Sequence, residues 1–142
     1  MTATRTAPYA ALLLRLSLGA LFFAHGLLKV FVFTLPGTVK FFAALGYPGT
    51  LAYVVVASEI GGGLLLLSGL FTRAASVAMI PILLGALLVH LPNGWLFSNP
   101  NGGWEFPALW IVLLLVQALL GPGAFALKLP GAAEEPLKTI SA

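Results

Sequence analysis

Three residues with proton-transfer and ligand-binding chemistry fall inside apolar runs: His25, Lys29 and Glu59. Glu59 stands in the middle of Leu51 to Phe71, a stretch long enough to cross a bilayer, and Gly61, Gly62 and Gly63 follow it at once. An acid at that depth is costly, and an intramembrane ionisable group marks a functional site whose partner must be found. Ionised Glu59 needs a cation or hydrogen-bond donors; otherwise it takes up a proton. His25 and Lys29 lie one turn apart on one helical stripe and are the candidate partners. A Glu–His–Lys cluster can accept or deliver a proton near neutral pH. It can equally hydrogen-bond the carbonyls of a quinone-like or small polar ligand. The competing reading is a purely structural ion pair. The three glycines either let two helices approach closely or leave space for a ligand.

The elements that must position these residues follow from composition. Of 142 residues, 60% are hydrophobic and 8% charged, against about 25% charged in a soluble domain. The apolar residues fall in four runs, at about 8–33, 50–71, 74–91 and 104–120, each near the roughly 20 residues needed to span a membrane. The expected fold is all-α: an integral membrane four-helix bundle in one domain, residues 1–142. Pro36-Gly37 and Tyr47-Pro48-Gly49 bracket the first loop, Pro92-Asn93-Gly94 opens the third, and Gly121-Pro122-Gly123 closes the last run. Thr38 to Leu45 reads as a short surface helix. Only Thr72 and Arg73 separate the second and third runs, so those two form an antiparallel hairpin. Four spans put both termini on one side, with Arg5, Arg73, Lys128 and Lys138. The positive-inside rule makes that side cytoplasmic, with Arg73 a topology anchor. Arg15 interrupts the first run and no clean A-x-A site follows it, so that run reads as a span and not a cleaved signal. Residues 131–142 read as a frayed tail.

At about 1.5 Å per residue, His25 and Glu59 come out level, roughly 12–13 Å below the outer surface. His90 and Glu105 fall at the outer ends of the third and fourth spans. All four spans thus place an ionisable group in the outer half. Arg15 shares the stripe of Phe22, His25 and Lys29; it can snorkel inward, or donate to Glu59 through water or to Gln117. The candidate ligand-binding or proton-relay residues are Glu59, His25, Lys29, Arg15, His90 and Glu105. Trp95, Phe97, Trp104 and Phe106 make the last outer loop interfacial, as a membrane anchor or a lid. The chain has no cysteine, which excludes disulfides, thiolate ligands and Cys-held clusters. No metal-ligand spacing or phosphate loop is present. The seven basic residues are scattered, which is no nucleic-acid footprint.

These positions resemble the DoxX family of small bacterial and archaeal membrane proteins. The matching stretches are Arg15-Leu16-Ser17-Leu18-Gly19, His25-Gly26-Leu27-Leu28-Lys29, Glu59-Ile60-Gly61-Gly62-Gly63-Leu64, Gly69-Leu70-Phe71-Thr72-Arg73, His90, Asn101-Gly102-Gly103-Trp104-Glu105-Phe106 and Gly121-Pro122-Gly123. Many members carry an acid shortly after the fourth span, where this chain has Ala126-Leu127-Lys128. The resemblance implies a four-helix fold in the cytoplasmic membrane and a role as an oxidoreductase-associated, quinone-linked subunit. The leading expectation is therefore a redox-associated subunit without its own redox centre. It would bind a quinone-like or small polar ligand and work with an oxidoreductase or larger membrane-complex partner. The alternatives are a non-enzymatic anchor or scaffold and a small proton-coupled transporter.

Overall fold

The computed structural model describes residues 3–128. The expected tail, 131–142, and Lys138 lie outside the described residues. Within them the fold is all-helical: α1 (Ala3–Phe31), α2 (Leu35–Ala44), α3 (Leu51–Ser68), α4 (Thr72–His90), a 3-10 turn (Leu91–Asn93) and α5 (Glu105–Leu120). Three helical stretches are long and apolar enough to cross a membrane: Arg5–Phe31, Leu51–Ser68 and Thr72–Asn93. The apolar helix α5 is shorter, at 16 residues, or about 24 Å. The three long helices and α5 are apolar on their outward faces too. Leu13, Val54, Leu64, Val77, Leu88 and Val112 are all exposed, as befits surfaces solvated by lipid.

Helix α1 packs on α3 and α5, and α4 packs on α3 and α5. The shared core is Leu18, Phe22, Leu66, Ala75, Met79, Leu83, Trp110 and Leu114. Small residues draw α1 and α3 together. A Cβ on Gly63 would sit 2.7 Å from the Phe23 backbone nitrogen and 2.9 Å from the Gly19 carbonyl oxygen. Gly19 and Gly26 present the same bare surface from α1.

One end of the fold gathers the start of α1, the α3–α4 link and the segment after α5. Ala124 N–H donates to the Pro8 carbonyl at 2.9 Å, and Leu127 N–H to the Ser68 carbonyl at 3.0 Å. We call this the Arg15 end. The opposite, Lys29 end carries α2 and the loop between α4 and α5. The surface helix there starts earlier than the sequence suggests. Pro36 and Gly37 lie in the first turn of α2, not in a loop, and the Thr34 hydroxyl accepts from Gly37 N–H at 3.2 Å. Proline in a first turn loses no hydrogen bond, so it starts a helix as readily as it breaks one. The Thr38 hydroxyl then donates to the Lys29 carbonyl at 3.2 Å and docks α2 on the end of α1.

Candidate functional site

Glu59 is buried, and its partner is Lys29. The ammonium nitrogen lies 2.8 Å from each carboxylate oxygen. The Glu59 side chain is 9% exposed and the Lys29 side chain 20%. Gly26 makes the pairing possible, because a Cβ there would stand 3.3 Å from the Glu59 Cβ and 3.2 Å from the Ile60 nitrogen. The α3 backbone therefore meets α1 at Gly26, between His25 and Lys29. From that crossing, the direction of the side chains decides the partner. A helical Cα–Cβ bond tilts toward its own N-terminus. The helices are antiparallel, so Glu59 leans toward the Lys29 end while α1 side chains lean toward the Arg15 end. Lys29 reaches down as Glu59 reaches up, whereas His25 leans away.

His25 instead turns back on its own helix. Its Nδ1 lies 2.8 Å from the Leu21 carbonyl oxygen. A carbonyl only accepts, so Nδ1 carries the proton, and in neutral imidazole Nε2 keeps a free lone pair. The ring stands edge-on to Trp110, with centroids 5.2 Å apart. Trp110 also contacts Phe22 at 5.0 Å and Phe106 at 5.2 Å, and Phe106 lies 6.1 Å from Phe97. An aromatic path thus runs from the loop between α4 and α5 to the core beside His25. Among the described residues the expected level pair of His25 and Glu59 is not formed, and the ion pair is Lys29–Glu59.

The other candidates do not join this pair. His90 Nδ1 donates to the carbonyls of Asn101 and Gly102, at 3.1 and 3.0 Å. Asn93 Nδ2 donates to the same two oxygens. Glu105 Oε1 accepts from Phe97 N–H at 2.7 Å. Both residues therefore hold the loop between α4 and α5, where Trp95 and Trp104 meet edge-to-face with centroids 4.4 Å apart. Arg15 reaches neither Glu59 nor Gln117. Its Nη1 donates to the Leu66 and Leu67 carbonyls, at 3.1 and 3.0 Å, and its Nη2 to Ala124 at 3.2 Å. These are the last-turn carbonyls of α3, where a cation is favourable. Arg73 does the same for α5, donating to Ala118 and Leu119 at 2.8 and 3.1 Å. Among the glycines, Gly63 packs against α1 and Gly62 against Met79, whereas Gly61 has open space beside it. No three His, Cys, Asp or Glu side chains converge among the described residues.

Sequence reasoning passed over Ser76 and named Gln117 only as a partner for Arg15. Both Ser76 and Gln117, the chain's single glutamine, are fully buried. Their positions three residues from Met79 and Leu114 placed them on core-facing stripes, which was the available signal.

Comparison with known proteins agrees with the motif resemblance. The DoxX family model matches residues 10–91. A Bacillus subtilis protein named "Putative oxidoreductase CatD" is 38% identical over 116 residues, covering 82% of each chain. An uncharacterized protein of Haemophilus influenzae is 34% identical over 122 residues, covering 84% of this chain and 89% of its own. No solved structure matches. With more than half of its length matched by the family model and a relative above 30% identity across most of both chains, this chain belongs to the DoxX family.

Proposed function

We propose that this DoxX-family membrane protein is a redox-associated subunit that binds a quinone-like ligand at the Lys29 end. The observation that carries the reading is the pairing of unlike hydrogen-bonding groups one turn apart on α1. Lys29 spends two N–H donors on Glu59 and has a third. His25 spends Nδ1 on Leu21 and has the Nε2 lone pair. A carbonyl oxygen can accept from Lys29, and a hydroxyl can donate to His25. A bound quinone would supply two-electron, two-proton chemistry at that position. Glu59 holds the ammonium in place. The aromatic path of Phe97, Phe106 and Trp110 offers flat faces for a ring. The relative named as an oxidoreductase supports a redox setting, with electrons coming from a partner protein.

The reading includes four spans, with α5 as the fourth and both termini in the cytoplasm. Arg5, Arg73 and Lys128 then lie on the inner side, and Lys29 and Lys40 toward the outer side. Titration with a short-chain benzoquinone, read by Trp110 fluorescence in detergent, tests the site. Saturable quenching should weaken in Lys29→Met and Glu59→Gln. Equal affinity for wild type and Glu59→Gln would sink it.

One observation favours a second reading, the membrane scaffold. The Lys29–Glu59 pair closes on itself with both oxygens engaged, and so satisfies two charges without any ligand. A scaffold predicts no saturable quenching, together with a stoichiometric partner recovered in mild detergent.

A further inference from the structure

Three buried polar atoms make no hydrogen bond among the described residues: Arg15 Nε, Ser76 Oγ and Gln117 Oε1. Their side chains are at most 1% exposed. Buried polar atoms without partners are rare, and each calls for a physical account.

The three belong together. Arg15, Leu18 and Phe22 form one core-facing stripe of α1. Ser76, Met79 and Leu83 form one on α4, and Trp110, Leu114 and Gln117 form one on α5. All six apolar members belong to the single shared core. Helices α1 and α4 run away from the Arg15 end and α5 runs toward it, so in each stripe the polar residue lies on the Arg15 side of its apolar neighbours. Three stripes that converge on one core thus end in three polar groups beneath it.

Their chemistry is complementary but unspent. Arg15 Nε–H can only donate, Gln117 Oε1 can only accept, and the Ser76 hydroxyl can do either. The glutamine cannot simply flip. Its Nε2 donates to the Gly121 carbonyl at 2.7 Å, and a flip would set two carbonyl oxygens against each other. That fixed acceptor also disfavours an anion beside Arg15. The occupant must accept from Arg15 and donate to Gln117. Both carboxylates of the described residues are committed elsewhere, to Lys29 and to Phe97 N–H.

We propose that Arg15, Ser76 and Gln117 form an internal hydration site, in which a water accepts from Arg15 Nε and donates to Gln117 Oε1, with Ser76 as the third partner. Three polar partners are the usual number for a buried water. The water completes the solvation of a guanidinium that, among the described residues, bonds to carbonyls and to no carboxylate. Through the Arg15 bonds to Leu66 and Leu67, the node ties α3 to α1, α4 and α5.

Water-edited solid-state NMR on labelled protein in deuterated lipid vesicles tests this. Magnetisation should pass from water to Arg15 Nε–H faster than to the amides of Leu18 and Leu114, which are dry controls. Transfer no faster than to those controls overturns the site. In Gln117→Leu the Arg15 Nε signal should fall to the control level. Ser76→Ala, the milder change, should reduce it and covers the case in which Gln117→Leu does not fold. Transfer unchanged in the folded variants overturns the assignment of partners.

Discussion

Alanine at Gly61 and at Gly63 should move stability in opposite directions, although the two positions are two residues apart in one glycine run. At Gly63 the three atoms nearest the new Cβ are all α1 backbone, with Phe23 N at 2.7 Å, the Gly19 carbonyl oxygen at 2.9 Å and Phe23 Cα at 3.0 Å. None of these atoms can rotate away. To reach an ordinary contact of 3.4 Å, α1 and α3 must separate by about 0.7 Å along a seam that Gly19 and Gly26 also need closed. Overpacking of this kind costs up to about 3 kcal/mol, and rigid backbone places it at the upper end. The better helix propensity of alanine returns about 1 kcal/mol, leaving a net loss of about 2 kcal/mol. At Gly61 nothing lies within 4 Å of the new Cβ, so only the propensity gain of about 1 kcal/mol remains. The two variants should differ by about 3 kcal/mol in unfolding by SDS titration, followed by fluorescence of the buried Trp110. Shifts in the same direction, or a more stable Gly63→Ala, would refute a close-packed α1–α3 seam.

Lys29→Met leaves the Glu59 carboxylate buried and unpaired. The loss should approach about 3 kcal/mol, the low end for a broken buried pair, because Lys29 keeps a fifth of its surface exposed. The double variant Lys29→Met, Glu59→Leu should recover most of that loss in the same SDS titration; no recovery would argue that the pair is not the cause. The two arginines offer an internal comparison, since both cap helix C-termini. Arg15→Met should cost about 2–3 kcal/mol, because its charge-assisted bonds are buried. Arg73→Met should cost less than about 1 kcal/mol, because Arg73 is exposed. Equal midpoint shifts would mean that burial does not set the strength of these caps.

The helices and their punctuation were legible because apolar runs of span length bounded by Gly and Pro leave few alternatives. The burial of Glu59 was legible for the same reason. Its partner was not. Counting rise per residue compares Cα heights, and on that measure His25 and Glu59 are level. The pairing is set by a quantity that such a count ignores, the tilt of each Cβ toward its own N-terminus. In an antiparallel pair this tilt moves the meeting point by about a turn. Arg15 was misread for a related reason. Pairing side chain with side chain, Glu59 or Gln117, does not reach the last-turn carbonyls of α3, which carry no side-chain signature. The surface helix was shifted because Pro36-Gly37 reads as punctuation in sequence, yet fits a first turn capped by Thr34. His90 and Glu105 were grouped by depth with Glu59, but a depth does not say whether a side chain faces the bundle or its own loop.

The two ends of the fold differ in a way that bears on where chemistry can occur. At the Arg15 end the polar groups face inward onto backbone: Arg15 closes α3, Arg73 closes α5, and Gln117 bonds Gly121. Each such contact satisfies a carbonyl that a helix leaves open, and the polar atoms left over there, Arg15 Nε, Ser76 Oγ and Gln117 Oε1, are sealed beneath the core and turned to the proposed water. At the Lys29 end the ion pair already balances its charges, which leaves one Lys29 donor and the His25 Nε2 lone pair beyond structural need. Moreover, the loop above is fastened by His90, Asn93 and Glu105 through its own backbone and not through Lys29 or Glu59. A ligand could therefore engage Lys29 and His25 without dismantling a cap or releasing the loop. The same ligand at the Arg15 end would have to break bonds that hold α3 and α5 in place. This asymmetry is the physical reason to seek the ligand beside Lys29, and to treat Arg15, despite its buried charge, as part of the frame.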